Sequence, residues 1–307
     1  MNWFVSLFKN KSKIIVICGP TATGKTNLSI HLAKKYNAEI ISADSRQIYR
    51  GLDIGSAKIT PKEMNGVPHH LIDIANPKDS FSVQQYTELG TLTINNILSR
   101  NKKVIICGGT GMYIDSLISG TQFPKVPPNQ KLRKELESKS TIELYSLLQL
   151  KDPRRAKTID PDNSVRLIRA LEVIDVLGIV PKTTKTSKYQ TLYIGLDLPK
   201  EELNNRIRKR IINRFEDQNM LGEAINLHIN GLSYERMEAL GLEYRYMGRH
   251  LQGEISYEEM VSELTTKTIQ FAKRQRTWFK RNKEICWFNP VTDTKKIDLI
   301  VSNFFQK

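Results

Sequence analysis

The chain has 307 residues, 39% of them apolar, enough for one large domain with a smaller partner and a proper core. Its net charge of +15 and pI near 9.6 point to a polyanionic partner. No apolar run is long enough to span a membrane, and the scattered Cys18, Cys107 and Cys286 have no metal-ligand spacing, so membrane, disulfide-scaffold and zinc classes are excluded.

The start, Met1-Asn-Trp-Phe-Val-Ser-Leu-Phe8, is too short for a signal peptide and lacks a small-residue cleavage site, which predicts a cytoplasmic chain. Lys13–Cys18 reads as a buried strand. It runs into Gly19, Pro20, Thr21, Ala22, Thr23, Gly24, Lys25 and Thr26, the G-x-x-x-x-G-K-T spacing of a P-loop. The glycines let several N–H groups point inward, and a helix from about Lys25 adds its positive end. Together with Lys25 this predicts a phosphate or pyrophosphate cradle, with the Thr26 hydroxyl on a magnesium ion.

Ala38–Ala43 reads as a second strand, ending at Asp44, Ser45, Arg46 and Gln47, where a parallel sheet offers its ligand-binding edge. Asp44 then suits a general base or a magnesium partner acting through water; an Asx turn is the structural alternative. Residues 48–58 read as a long crossover loop. Val67–Asp73 reads as a strand start. Its adjacent His69 and His70 point to opposite faces and make a poor metal pair. Phe81–Tyr86 opens a helix to about Arg100, capped by Ser80 or Ser82. Lys102–Cys107 is the next buried strand. It ends in Gly108-Gly-Thr-Gly-Met-Tyr113, with no acid where a motor ATPase would carry one.

Residues 122–187 change character. A proline-rich stretch, 122–130, leads into helical periodicity over 130–151 and 163–177, with Leu144, Leu147 and Leu148 on an inner face. The predicted division is 1–121 and 188–307 for an α/β core and 122–187 for a small helical insertion. Gln190–Leu196 returns to strand character, followed by helices over 201–215 and 221–230. Arg206, Arg210 and Arg214 recur at i, i+4, i+8, a stripe that binds phosphate or pairs with glutamates. Lastly, Phe271–Arg281 interleaves cations with Trp278 and Phe279, a pattern suited to RNA, although helical spacing also buries such aromatics.

Together these segments resemble the tRNA dimethylallyltransferases, also called tRNA isopentenyltransferases. The resemblance rests on the P-loop, Asp44–Gln47, Gly51-Leu-Asp-Ile-Gly-Ser-Ala-Lys58, Pro68–Asp73 and Gly108–Tyr113. It also rests on Asp152-Pro153, Ile159–Asp162, Arg166, Arg169–Val173, Gly253–Tyr257 and Lys273–Phe279. It implies a P-loop NTPase-like α/β core, a parallel sheet flanked by helices, with a small all-helical insertion. It implies transfer of a dimethylallyl group from dimethylallyl diphosphate to N6 of adenosine 37, in tRNAs reading codons that begin with U. It also implies Mg2+ as cofactor, the tRNA anticodon stem-loop as partner, no membrane, no obligatory protein partner and a monomer.

Carried over, Asp44 accepts the N6 proton and Thr21 lies near both amine and diphosphate. Asp44, Ser45, Arg46, Gln47, Thr110, Arg166, Arg169, Arg274 and Gln275 touch the tRNA. The family's diphosphate-clamping arginine falls in a stretch of altered spacing, Ser233–Arg245. Arg236 is its expected counterpart and Arg245 the alternative. The chief rival is a P-loop small-molecule kinase, which leaves the charge, the insertion and the Lys273–Arg281 run unexplained. A non-enzymatic RNA-binding module leaves Lys25, Thr26 and Asp44 idle.

Overall fold

The structure, a computed structural model, describes residues 11–182, 186 and 189–306, so the reading of Met1–Phe8 lies outside the described residues. Two compact units result: Met1–Gly120 with Ser187–Lys307, and Thr121–Thr186. The sequence pattern places these divisions one residue later on each side.

Six strands form the sheet of the first unit: β1 Ser12–Cys18, β2 Ala38–Ser42, β3 His69–His70, β4 Lys103–Cys107, β5 Tyr189–Leu196 and β6 Cys286–Phe288. Their order is β3-β2-β4-β1-β5-β6 and every pairing is parallel. β1 is central, and Ile14 to Cys18 are fully buried. A parallel sheet covered on both faces requires such unbroken β-branched runs. Each isoleucine so buried contributes about 1.5–3 kcal/mol.

Alternation divides the strands between two cores. Ile15, Ile17, Ile40, Ile105 and Ile194 pack with the helices Lys25–Tyr36 and Thr294–Gln306. Ile14, Val16, Ile41, Val104 and Ile106 pack with the helices Val83–Ser99 and Gly111–Ile118. Ser82, and not Ser80, caps Val83–Ser99 in a full capping box. A third core joins Ile48 and Leu52 of the crossover to the helices Lys200–Glu216, Met220–Ile229, Tyr234–Leu240, Leu242–Leu251 and Tyr257–Phe279. No helix among the described residues is long and apolar enough to cross a membrane.

The described part of the second unit is helical: Gln130–Glu137, Thr141–Lys151, Pro153–Ala156 and Ser164–Leu177. The expected helix over 130–151 is two helices, because Ser140 caps a new one with Glu143. Leu144 and Leu148 are fully buried and Leu147 packs against them in part. The buried Glu172 gathers Arg133, Arg169 and the Asn129 N–H.

Candidate active site

The site forms where the carboxyl ends of β1, β2 and β4 meet, the edge at which parallel sheets bind ligands. β1 delivers the chain into Gly19. This residue has φ of 136°, and an added Cβ would sit 2.2 Å from the Leu196 carbonyl oxygen. Only glycine permits this turn. Thr23 Oγ1 donates to the Pro20 carbonyl and braces the loop from inside. Gly24 precedes the helix Lys25–Tyr36, and no side chain caps its first turn. The uncapped N–H groups carry the positive end of the helix dipole, which suits an anion.

Two cations face this loop. Lys25 Nζ donates to the Pro20 carbonyl at 2.6 Å. Burial lowers its pKa to about 8, with Arg210 adding to the effect. Arg210 comes from the helix Lys200–Glu216 and donates from Nη2 to Thr21 Oγ1 at 2.5 Å. Its Nε is buried without a partner. Burial first, then Arg214, push the Arg210 pKa down from its ordinary value. Two half-buried cations, with no carboxylate hydrogen-bonded to either among the described residues, make a site short of negative charge.

Asp44 forms the Asx turn: its Oδ1 accepts the N–H groups of Arg46 at 2.8 Å and Gln47 at 3.4 Å. Those bonds orient the carboxylate and leave Oδ2 for a substrate. Ser45 N–H donates to Thr110 Oγ1. Gln47 spends its side chain on Ser42 and the Ala57 carbonyl.

Thr21, Asp44, Arg210 and Arg214 line two clefts at once. The first, of about 660 Å³, holds the P-loop side with Lys25 and Thr26. The second, of about 620 Å³, is walled by Arg46, Thr110, Arg245, Arg249, Lys267 and Arg274. Thr26 and Asp44 line the first cleft together, and no trio of His, Cys, Asp or Glu placed for a metal exists among the described residues. His69 and His70 turn to the Val67 carbonyl and to Glu39, respectively.

Several expected roles meet different geometry. Arg236 is not at the cradle. Ser233 caps its helix, and the guanidinium turns away to the Pro77 and Asp79 carbonyls and lies over the Tyr49 ring. Arg245 reaches the second cleft but pairs with Glu238 at 2.8 Å. Within the arginine stripe, Arg206 pairs with Glu202 and Arg214 with Glu243 and the Gly55 carbonyl. Arg210 alone of the three meets the P-loop.

Gln275 is largely buried, at the wall of the first cleft. Its Oε1 accepts the Thr21 N–H and its Nε2 donates to the Gly109 carbonyl. Arg169 bonds Glu172 and the Val126 carbonyl within its own unit, while Arg166 is exposed. Arg276 is held by Asp197 and the Leu198 carbonyl, whereas Lys273, Arg274 and Lys280 are exposed. Trp278 packs against the second core, donates to Asp115 and has Arg281 over its ring at 4.0 Å.

A family model described as IPP transferase matches residues 47–282. The chain is 40% identical over 291 residues to the tRNA dimethylallyltransferase of Bacillus pumilus, covering 92% of this chain and 91% of that one. Among solved structures, the full-length tRNA isopentenylpyrophosphate transferase of Bacillus halodurans superposes with a TM-score of 0.74 at 36% identity, over 96% of this chain and 97% of that one. A eukaryotic dimethylallyltransferase described as acting on tRNA superposes with a TM-score of 0.81 at 26% identity, over 96% of this chain and 79% of that one.

Proposed function

We propose that this chain, which belongs to the IPP transferase family, transfers a dimethylallyl group to N6 of adenosine 37 in tRNA from dimethylallyl diphosphate, releasing diphosphate. The observation that carries the mechanism is that Thr21, Asp44 and Arg210 stand on the wall shared by the two clefts. The first cleft, with its helix N-terminus, Lys25 and Arg210, suits the diphosphate. The second, basic cleft suits an adenosine pulled from its stack. The reacting carbon then lies between them.

In the reaction a bond forms between N6 and the allylic carbon while the carbon–oxygen bond to diphosphate breaks. The electron pair leaves on the diphosphate oxygen, where the P-loop N–H groups, Lys25 and Arg210 stabilise it. Arg210 is the clamp in this reading. Its unpartnered Nε and its fork aimed at Thr21 suit a diphosphate oxygen. Thr21 already accepts a hydrogen bond from Arg210, so its own proton is free for the leaving oxygen. Asp44 Oδ2 takes the proton from N6 as general base, while Oδ1 stays on its backbone donors. Thr26 and Asp44 suit Mg2+, directly or through water, because that ion draws most of its ligands from water and phosphate oxygens. When bound, it supplies further charge stabilisation to the leaving diphosphate. Exposed Lys273, Arg274 and Lys280 support the tRNA backbone. Every residue named lies in one unit of one chain, so the reading needs no partner chain.

The direct test incubates the protein with magnesium, dimethylallyl diphosphate and unmodified tRNA. Mass spectrometry should show one added five-carbon unit on adenosine 37. Unchanged tRNA, together with phosphate transfer from ATP to a small acceptor, would overturn the reading.

A further inference from the structure

Glu223 lies on the helix Met220–Ile229, outside both clefts, yet its carboxylate carries four hydrogen bonds. Oε2 accepts the N–H groups of Asp53 at 2.9 Å and Ile54 at 2.6 Å. Oε1 accepts the Gly55 N–H at 3.1 Å and the Tyr244 hydroxyl at 2.7 Å. Three successive backbone N–H groups on one carboxylate pin a turn more firmly than its own backbone could. The pinned turn forms part of the site. Asp53, Ile54 and Ser56 line the first cleft, and Gly55 and Ser56 the second.

The turn also governs an arginine. The Gly55 carbonyl accepts from Arg214 Nη1 at 3.1 Å, and Glu243 takes the same nitrogen at 3.3 Å. Arg214 is 3% exposed and sits one helical turn from Arg210. The buried Tyr244 has its pKa raised far above the usual phenol range by burial, so it stays a donor to Glu223. All four of its bonds require an acceptor, and a carboxylate has acceptor capacity on both oxygens.

We propose that Glu223 is a positioning residue for the diphosphate site, fixing the Asp53–Gly55 turn and, through the Gly55 carbonyl, the Arg214 side chain beside Arg210. This rests on the reading of the first cleft as the diphosphate site. Glu223→Gln replaces one acceptor oxygen with an NH2 that faces donors, so the turn must shift. Glu223→Asp keeps both acceptor oxygens on a shorter stem.

The test measures magnesium pyrophosphate binding by calorimetry, then kcat, KM for dimethylallyl diphosphate and tRNA affinity, in the parent, E223Q, E223D and Y244F. A displacement on the ångström scale predicts that E223Q loses about 10–100-fold in kcat/KM for the donor. Its pyrophosphate affinity should fall as well, with tRNA affinity within about twofold of the parent. E223D should recover part of the loss, and Y244F, with three of the four bonds kept, should stay near the parent. Parent-like pyrophosphate binding and kcat in E223Q, with only a lower Tm, would overturn the proposal. If E223Q does not fold, E223D decides by the same criteria. A parent that binds pyrophosphate but leaves tRNA unmodified would instead defeat the assigned function, and the pyrophosphate comparison would still judge Glu223.

Discussion

A guanidinium partly withdrawn from water, with no carboxylate hydrogen-bonded to it, favours an incoming anion. Arg210 is such a group, half-buried, with an unpartnered Nε and a pKa pushed down by burial. Arg210→Lys keeps a charge but loses the fork that can hold Thr21 and a phosphate oxygen together. Its contribution grows as charge builds on the leaving group, so kcat should fall on the order of 10²–10³-fold, more than donor affinity does. Arg236→Lys is the control, since Arg236 serves the Pro77 and Asp79 carbonyls. Steady-state kinetics at saturating tRNA should leave R236K near the parent. A crippled R236K with a parent-like R210K would return the clamp to Arg236. Asp44→Asn keeps the shape and the Arg46 bond but cannot take a proton. Turnover should drop about 10²–10⁴-fold, with the diphosphate Kd nearly unchanged. Much weaker diphosphate binding with normal turnover would make Asp44 a magnesium partner instead.

Two elements that never meet in sequence close the site through Gln275. The helix Tyr257–Phe279 brings its amide between Thr21 of the P-loop and Gly109 after β4. An added Cβ at Gly109 would lie 2.2 Å from Gln275 Nε2, so a side chain there would push the amide away from its two partners. Gln275→Leu leaves the Thr21 N–H and the Gly109 carbonyl without partners, each costing about 1–3 kcal/mol. Thermal unfolding should show the loss, and kcat should fall because Thr21 moves; an unchanged Tm and kcat would put the tie elsewhere. The elements with strong local signals were legible. The P-loop is eight contiguous residues, and β1, β2 and β4 are unbroken apolar runs. The partners of long side chains were not. Spacing places Arg206, Arg210 and Arg214 on one stripe, but Glu202 claims the first from its own helix and Glu243 claims the last from another. β6, three residues at the sheet edge, has too short a pattern to separate from a loop, and Gln275 reads as one more polar residue in a basic run. Arg276, in that same run, is spent on Asp197.

Across the whole molecule, the net charge of +15 divides between cations with internal partners and those left to solvent or ligand. Neutralising the exposed Lys273 and Arg274 should lower the slope of log affinity for tRNA against log salt, by about 1 or less for each phosphate no longer neutralised. An unchanged slope would place them off the tRNA path. The half-buried lysine of the cradle answers to pH instead. Burial, with Arg210 adding to the effect, lowers the Lys25 pKa to about 8, whereas the Arg210 guanidinium keeps its proton. Lys25 is fully charged well below that value and loses its proton as pH rises through it. A bound diphosphate favours the charged form, so it must raise this pKa and, by linkage, take up a proton when it binds near that pH. The Kd for dimethylallyl diphosphate should therefore be flat near neutral pH. Above pH 8 it should weaken by up to about tenfold per pH unit, the limit for one linked proton. Calorimetry at about pH 8, in two buffers of different ionisation heat, should register the uptake. Lys25→Met should weaken binding throughout and remove the break. A Kd independent of pH through this range, with no proton taken up, would mean that the empty cradle already holds Lys25 fully charged.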